Sequence, residues 1–113
     1  MGTETLTTRT ETVDGVAVVS VAGEVDLVTA DQLRDALVDA LDRADRVSAD
    51  LSGVTFIDSS GLSALVEAHG AARDGGAVMS LRSPTPMLLR LLEITRLDSL
   101  LIVEREPSPS GDG

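Results

Sequence analysis

The fold is decided by the stretch VTFIDSSGLSALV, residues Val54–Val66. It begins as a short apolar run that contains the only aromatic residue of the chain, Phe56, and such a run is consistent with a buried strand. The polar residues Asp58–Gly61 follow. Beyond them, four residues are spaced at i, i+3, i+4 and i+7, which places them on one face of a helix. Its members are Leu62, Leu65, Val66 and His69. The stretch therefore predicts a buried strand that leads directly into an amphipathic helix.

The junction between this strand and this helix carries two hydroxyl groups, on Ser59 and Ser60. The first N–H groups of a helix have no partner within it, and the helix dipole adds a partial positive charge there. A phosphate at this position would be stabilised. One hypothesis is therefore a phosphorylation switch, and the other is that one serine simply caps the helix.

Composition limits the class of protein. The chain has 113 residues and no Cys, which suggests one domain without disulfides, thiolate metal sites or cysteine catalysis, in a reducing compartment. The net charge of −10 disfavours contact with nucleic acid or an anionic membrane, so we expect protein partners. We find neither a candidate membrane helix nor a signal peptide, and we expect a cytoplasmic protein.

The residues before the deciding stretch predict a β-hairpin. Thr5–Val13 is rich in Thr and predicts a half-exposed edge strand. Asp14–Gly15 is a signal for a two-residue turn, and Val16–Ala22 predicts the buried second strand. We expect Gly23–Val28 to break that strand.

A helix is predicted to begin at Thr29. Gln32 stands three residues further on, and this spacing predicts a capping box in which each side chain bonds the other residue's backbone. An apolar face follows, formed by Ala30, Leu33, Leu37, Ala40 and Leu41. The opposite face is acidic and is interpreted as solvated; it holds Asp31, Asp35, Asp39 and Asp42.

Two further strands are predicted around the central helix. Asp45–Leu51 is a short strand candidate, and Ser52–Gly53 is interpreted as a turn or bend. The central helix is expected to run to about Arg73, where Asp74–Gly76 supplies residues that tolerate positive φ. Ala77–Leu81 then predicts a buried strand.

The last third of the chain predicts a helix, a strand and a tail. Ser83 is the expected cap and Pro84 the first helical residue. The inner stripe of this helix is predicted to hold Met87, Leu88, Leu91, Leu92 and Thr95. Leu100–Val103 predicts a terminal strand, and residues 104–113 are expected to form a disordered tail.

The order hairpin, helix, strand, helix, strand, helix, strand predicts an α/β fold. Its sheet would be mixed but mainly parallel, with an antiparallel N-terminal edge strand and three to four helices, in a single domain at residues 1–103. The loops at residues 23–28 and 58–61 both follow strand ends. Parallel topology can bring these loops together, at the edge where such sheets bind ligands or partners.

These two loops resemble those of bacterial anti-sigma factor antagonists, which belong to the STAS domains. The loop Gly23–Asp26 is similar to the family's Gly-Glu-Leu-Asp loop, and Asp50–Leu62 resembles its central signature more closely. Leu88–Leu97 fits the family's third long helix and its exit. The resemblance covers roughly residues 5–103 and implies a STAS-like fold.

The resemblance implies a regulator that is not itself an enzyme and uses no cofactor or metal. The unphosphorylated antagonist would bind an anti-sigma factor that is also a serine kinase, and so free the sigma factor. The kinase would phosphorylate Ser59, the serine directly after the Asp, and a PP2C-type phosphatase would reverse the reaction. We expect a monomer or weak homodimer.

Six further residues are expected at the partner-binding site: Glu24, Asp26, Asp58, Ser60, Gly61 and Leu62. Glu24 and Asp26 are either an acidic lip for a basic partner or ordinary exposed turn carboxylates. Asp58 either bonds backbone N–H groups locally or takes part in phosphotransfer. Gly61 either eases helix entry, leaves room for a partner, or does both.

Two residues stand apart from this site. His69, the only His, is interpreted as a core-edge residue and not as a catalytic base. Arg96 stands where family members often have Gly, so the geometry after the third helix is an open question.

Two other functions compete with the regulator. An adaptor or scaffold STAS subunit, in a stress-signalling complex or a lipid-transport ATPase, would share the fold. A small hydrolase built on Ser59 and Asp58 lacks a residue that would orient and activate the serine.

Overall fold

Asp14 and Gly15 form the tight turn between the first two strands of the computed structural model, β1 (Leu6–Val13) and β2 (Val16–Val25). Their φ angles are +53° and +82°, as a type I′ hairpin turn requires. The structure describes residues 6–104. Within them the predicted hairpin is confirmed, with β1 pairing antiparallel to β2, while Thr5 lies outside the described range.

The remaining elements alternate as the sequence predicts. They are α1 (Ala30–Leu41), β3 (Arg46–Ile57), α2 (Ser59–Asp74), β4 (Val78–Arg82), α3 (Pro86–Ile94), a short 3₁₀ turn (Leu97–Ser99) and β5 (Ile102–Val103). The sheet has the order β1-β2-β3-β4-β5, and every pair after the first is parallel. The predicted α/β class with a mixed, mainly parallel sheet is therefore confirmed.

The core lies between one face of this sheet and the helices. Alternate residues of β2 and β3 point into it, among them Val19, Val21 and Leu51. The predicted apolar faces of α1 and α2 meet them, and the largest fully buried helical side chains include Leu33, Leu37 and Leu65. The four aspartates of α1 are exposed, as expected. None of the helices in residues 6–104 is long and apolar enough to cross a membrane.

Two predicted interruptions of the sheet are wrong. β2 does not break at Gly23 but continues to Val25, and β3 runs through Ser52 and Gly53 without a turn. The β2–β3 pairing instead absorbs two register irregularities. A Cβ on Gly53 would lie 3.0 Å from the Cβ of Ala22. This glycine therefore reflects the close approach of two strands, which a single sequence does not distinguish from a bend.

The predicted capping box of α1 is also wrong. The Thr29 hydroxyl does not cap the helix; it donates to the Glu24 carbonyl at 2.8 Å. The Gln32 side chain does not reach back to Thr29, because its amide donates to the Leu6 carbonyl at 2.8 Å and ties α1 to the edge strand.

The third helix begins two residues later than predicted. Thr85, not Ser83, is the cap, and its hydroxyl accepts a hydrogen bond from the Leu88 N–H at 3.2 Å. A residue before proline is pushed out of the helical region, so Pro86 keeps Thr85 extended and delays the helix. With this start Leu88 and Leu92 are buried, whereas Met87 is 44% exposed and not part of the inner stripe.

Glu104, the first residue of the predicted tail, follows β5 and is hydrogen-bonded to the sheet. Its carboxylate accepts hydrogen bonds from the hydroxyls of Ser48 at 2.6 Å and Ser80 at 2.5 Å. Its N–H donates to the Leu81 carbonyl. The rest of the predicted tail, residues 105–113, lies outside the described residues.

Gly61, in the first turn of α2, sits where no side chain fits. A Cβ there would lie 2.5 Å from Cγ1 of Ile57 and 2.6 Å from Cγ1 of Val25. Both neighbours are buried β-branched residues that cannot swing away. The absence of a side chain lets the helix start pack directly on the ends of β2 and β3.

We predict that Gly61→Ala lowers the free energy of unfolding by about 1–3 kcal/mol, because the added methyl overpacks this contact. Gly70→Ala is the matched control, since the same helix leaves open space around its Cβ position. The control should be neutral or stabilise by up to about 1 kcal/mol. Urea unfolding of both variants measures this, and equal effects would contradict the packing role of Gly61.

The backbone at Arg96 shows the geometry after the third helix, where family members often have Gly. It lies between α3 and the 3₁₀ turn with φ +63° and ψ +20°, in the left-handed region that favours glycine. The chain therefore keeps the backbone that glycine would adopt and accepts the steric cost of a Cβ.

We predict that Arg96→Gly raises the free energy of unfolding by about 0.5–1 kcal/mol, because glycine adopts this conformation without strain. Arg96→Ala is the control, since it removes the side chain but keeps the Cβ. Thermal or urea unfolding should rank Gly above Ala and the parent chain. Equal stability of the Gly and Ala variants would contradict strain at this position.

Candidate partner-binding and phosphorylation site

The two loops singled out in the sequence meet at one edge of the sheet. Glu24 pairs in register with Phe56 and Val25 with Ile57, so β2 and β3 end side by side. The Asp58 N–H donates to the Val25 carbonyl at 3.1 Å and joins the two loops directly. The predicted convergence of residues 23–28 and 58–61 is confirmed.

Asp58 is the residue that starts α2. One of its carboxylate oxygens accepts hydrogen bonds from the N–H groups of Ser60 at 2.9 Å and Gly61 at 3.3 Å. The hypothesis that a serine caps this helix is wrong, because the aspartate satisfies these free donors. The local hydrogen-bonding interpretation of Asp58 is confirmed, and a role in phosphotransfer stays a prediction.

With the cap supplied by Asp58, Ser59 becomes the first residue of the helix. Ser59 is exposed and Ser60 half-buried, while Gly61 and Leu62 are buried. Of the two serines at the junction, Ser59 is therefore the more exposed. The two buried residues hold the helix start against the sheet, and their role in partner binding stays a prediction.

The loop between β2 and α1 has its own internal support. The Asp26 carboxylate accepts hydrogen bonds from the N–H groups of Val28 at 3.0 Å and Thr29 at 3.1 Å. Asp26 is thereby half-buried, whereas Glu24 is exposed. Of the two predicted lip residues, Glu24 is exposed, and Asp26 also holds the loop in shape through its hydrogen bonds.

Sequence reasoning missed three exposed apolar residues at the end of the sheet where the two loops meet. Leu27 is 78% exposed and Val28 is 85% exposed, at the tip of the β2–α1 loop. Phe56, predicted inside a buried strand, is 45% exposed near the end of β3. The signal available in the sequence was the apolar pair Leu27 and Val28, which lies in a predicted loop and fits no helical or strand periodicity. Exposed apolar side chains that cluster at one end of a fold are typical of interaction sites.

A groove that the sequence did not reveal runs along α2 from Ser59. Its volume is about 450 Å³. One wall is a row on α2 at helical spacing, and the other is the segment after α3; the lining residues are Ser59, Leu62, Ser63, Val66, Glu67, Thr95 and Leu97. We call this the Ser59 groove.

Acidic residues dominate the described surroundings of this site. Glu67 in the Ser59 groove pairs with Arg34 at 3.3 Å, and Arg34 also contacts Asp35 at 3.1 Å and Asp31 at 3.4 Å. The hydrogen bonds to Asp35 and then Glu67 raise the pKa of Arg34 above its usual value. This arginine is therefore paired with three carboxylates.

His69 lies on the inner side of α2, as predicted for a core-edge residue. It is buried, and its Nδ1 has no hydrogen-bond partner in the part of the chain that the structure describes. Between residues 6 and 104, no group of three or more His, Asp or Glu side chains is arranged to hold a metal ion.

Comparison with known proteins gives the same family at the level of sequence. The family model described as "Mlab, STAS domain" matches residues 8–104. The anti-sigma-B factor antagonist of Bacillus subtilis is 30% identical over 83 residues, which are 74% of this chain and 76% of that protein.

Solved structures share the fold. An anti-sigma factor antagonist from Mycobacterium paratuberculosis superimposes with a TM-score of 0.75 at 32% identity, over 90% of this chain and 87% of that one. The phosphorylated form of the Bacillus cell fate determinant SpoIIAA has a TM-score of 0.66 at 18% identity, over 88% and 93% of the two chains, and shows the fold alone. The chain belongs to the family of STAS-domain anti-sigma factor antagonists.

Proposed function

We propose that this protein binds an anti-sigma factor while Ser59 is unmodified, and so releases the sigma factor. The anti-sigma factor also acts as a serine kinase on Ser59, and phosphorylation ends the binding. A PP2C-type phosphatase restores the free hydroxyl. The observation that carries this proposal is the exposed Ser59 at the first position of a helix whose start is fixed by Asp58.

The surface around Ser59 has the composition of a docking site. The exposed apolar side chains of Leu27, Val28 and Phe56 can supply anchors, since apolar and aromatic contacts carry most of the energy of an interface. Glu24 and Asp26 add negative charge that favours a basic partner surface and speeds its association. Gly61 and Leu62 contribute by positioning the helix start.

Phosphorylation would change this surface without melting the helix. The Oγ of Ser59 forms a bond to the γ-phosphorus of ATP as the bond to ADP breaks, and the hydroxyl proton leaves. The phosphate adds about two negative charges, which a helix N-terminus tolerates. Asp58 and Glu24 already make the site acidic, so a partner that matches the unmodified surface would meet excess charge and bulk.

The protein itself serves as a substrate and a regulator. The only His of the chain, His69, is buried on the inner side of α2, where it cannot activate the exposed Ser59 as a general base. This favours the regulator over a serine hydrolase.

We predict that incubation with a cognate anti-sigma kinase and ATP adds one phosphate, at Ser59. In a pull-down of that kinase, Ser59→Ala should bind like the parent chain, and Ser59→Asp should bind about tenfold or more weakly, because the added charge faces a matched surface. Ser63→Ala is the control, since Ser63 is exposed one turn further along the same groove. It should keep both binding and phosphorylation.

Two outcomes would contradict the proposal. If no anti-sigma kinase of the source organism modifies Ser59, an adaptor role becomes the better hypothesis. If Ser59→Asp binds as tightly as Ser59→Ala, the charge switch is wrong.

The acidic lip is tested in the same assay, because binding that depends on it should weaken between low and high salt and in Asp26→Ala.

A further inference from the structure

The first strand, β1, is a long open edge of the sheet. Within residues 6–104 it pairs with β2 alone, and its 8 residues match β2 without a register shift. The opposite edge strand, β5, has only 2 residues. An open edge offers unpaired backbone N–H and C=O groups to a further strand, and natural proteins commonly shorten or interrupt such edges. Of the two edges, β1 is therefore the one that another strand could extend.

Three residues of β1 point their backbone hydrogen-bonding groups away from β2. They are Thr8, Thr10 and Thr12. In an antiparallel ladder these groups of successive residues face opposite sides of the strand. Val13 and Val16 flank the two-residue turn and form the first hydrogen-bonded pair of such a hairpin, so the odd-numbered residues of β1 face β2. The even-numbered Leu6 agrees with this assignment, because its carbonyl accepts from the Gln32 side chain of α1.

The side chains of β1 carry one charge of each sign. Arg9 and Glu11 lie two residues apart and form an exposed ion pair at 3.4 Å, so both lie on the same face of the strand. β1 is therefore neutral, although the whole chain has a net charge of −10. A second copy that approached along this edge would meet a balanced strand and not an excess of negative charge.

A second copy of β1 fits this edge in one antiparallel register. When Thr10 lies opposite Thr10 of the second copy, Thr8 lies opposite Thr12, and the unpaired backbone groups of both strands meet. The same register sets Arg9 opposite Glu11 twice, at the pairs without hydrogen bonds, where side chains lie closest. A shift by two residues would set Arg9 opposite Arg9 or Glu11 opposite Glu11, which is unfavourable. The charges therefore select the register that the backbone allows.

We propose that two copies of this chain associate through β1, antiparallel about a two-fold axis at Thr10, and so join their five-stranded sheets into one. Such an interface is isologous, since the same patch meets itself. The axis reverses the strand direction of the second copy, so the two Ser59 sites lie at opposite edges of the joined sheet and both stay open. The inference does not rest on the proposed function.

Sedimentation velocity over a concentration series at physiological ionic strength tests the association. The parent chain should form a dimer with a Kd of about 0.01–1 mM, because one strand pair buries less area than a standard interface. Arg9→Glu and Glu11→Arg should each weaken the dimer about tenfold or more, because each sets like charges opposite one another twice. Arg43→Glu is the matched control for Arg9→Glu. Arg43 is also exposed and paired with a carboxylate, at 3.5 Å from Asp39, but lies outside β1, so this variant should dimerise like the parent.

Mixing the two β1 variants tests the register. Arg9→Glu and Glu11→Arg chains should associate with each other about as tightly as the parent does with itself, because every carboxylate then meets a guanidinium across the pair. The double variant R9E/E11R should regain the homodimer. Both side chains are exposed, so these changes keep the fold. A parent chain that stays monomeric up to about 1 mM, single variants that dimerise like the parent, or a mixture that does not associate would overturn the inference. None of these results would affect the proposed kinase binding at Ser59.

Discussion

The contact between the first turn of α2 and the ends of β2 and β3 is the constraint on which the site depends. The Asp58 backbone is bonded to Val25 while its carboxylate caps the helix. Three residues later Gly61 lies so close to Val25 and Ile57 that any side chain would clash. Cap and close packing together fix the direction of the helix, and Ser59 is the residue left facing solvent between them.

This arrangement separates the two consequences of adding a phosphate. Helix stability is protected, because the free N–H groups and the dipole at the helix start favour negative charge. In the proposed function partner binding is not protected, because Ser59 lies at the sheet edge that also carries exposed apolar side chains and carboxylates. Such a surface can change its affinity for a partner by charge while the stability of the fold is kept, which suits a reversible switch.

The sequence predicted those features that depend on neighbours in the chain. The Asp14–Gly15 turn, the apolar faces of α1 and α2 and the strand-to-helix change at Asp58 are all local patterns, and the structure contains each of them. The convergence of the two loops followed from parallel topology. The exposure of Ser59 did not follow from the sequence, because the pattern left open whether Asp58 or a serine takes the cap.

Several of the errors share a cause, which is that contacts distant in sequence decided the outcome. Gln32 bonds the Leu6 carbonyl and not its own helix start, and Gly53 opposes Ala22 across the sheet. Glu104 is fixed by Ser48 and Ser80 from two other strands. The Ser59 groove likewise needs two segments that only the tertiary fold brings together.

The central claim is that a phosphate on Ser59 acts on the surface and leaves α2 folded. Hydrogen exchange of the α2 amides, compared between the unmodified chain and the chain phosphorylated at Ser59, tests it directly. We predict equal or slightly greater protection in the first turns of the helix after phosphorylation. A loss of protection that spreads along α2 would contradict the claim and point to a switch that works by unfolding.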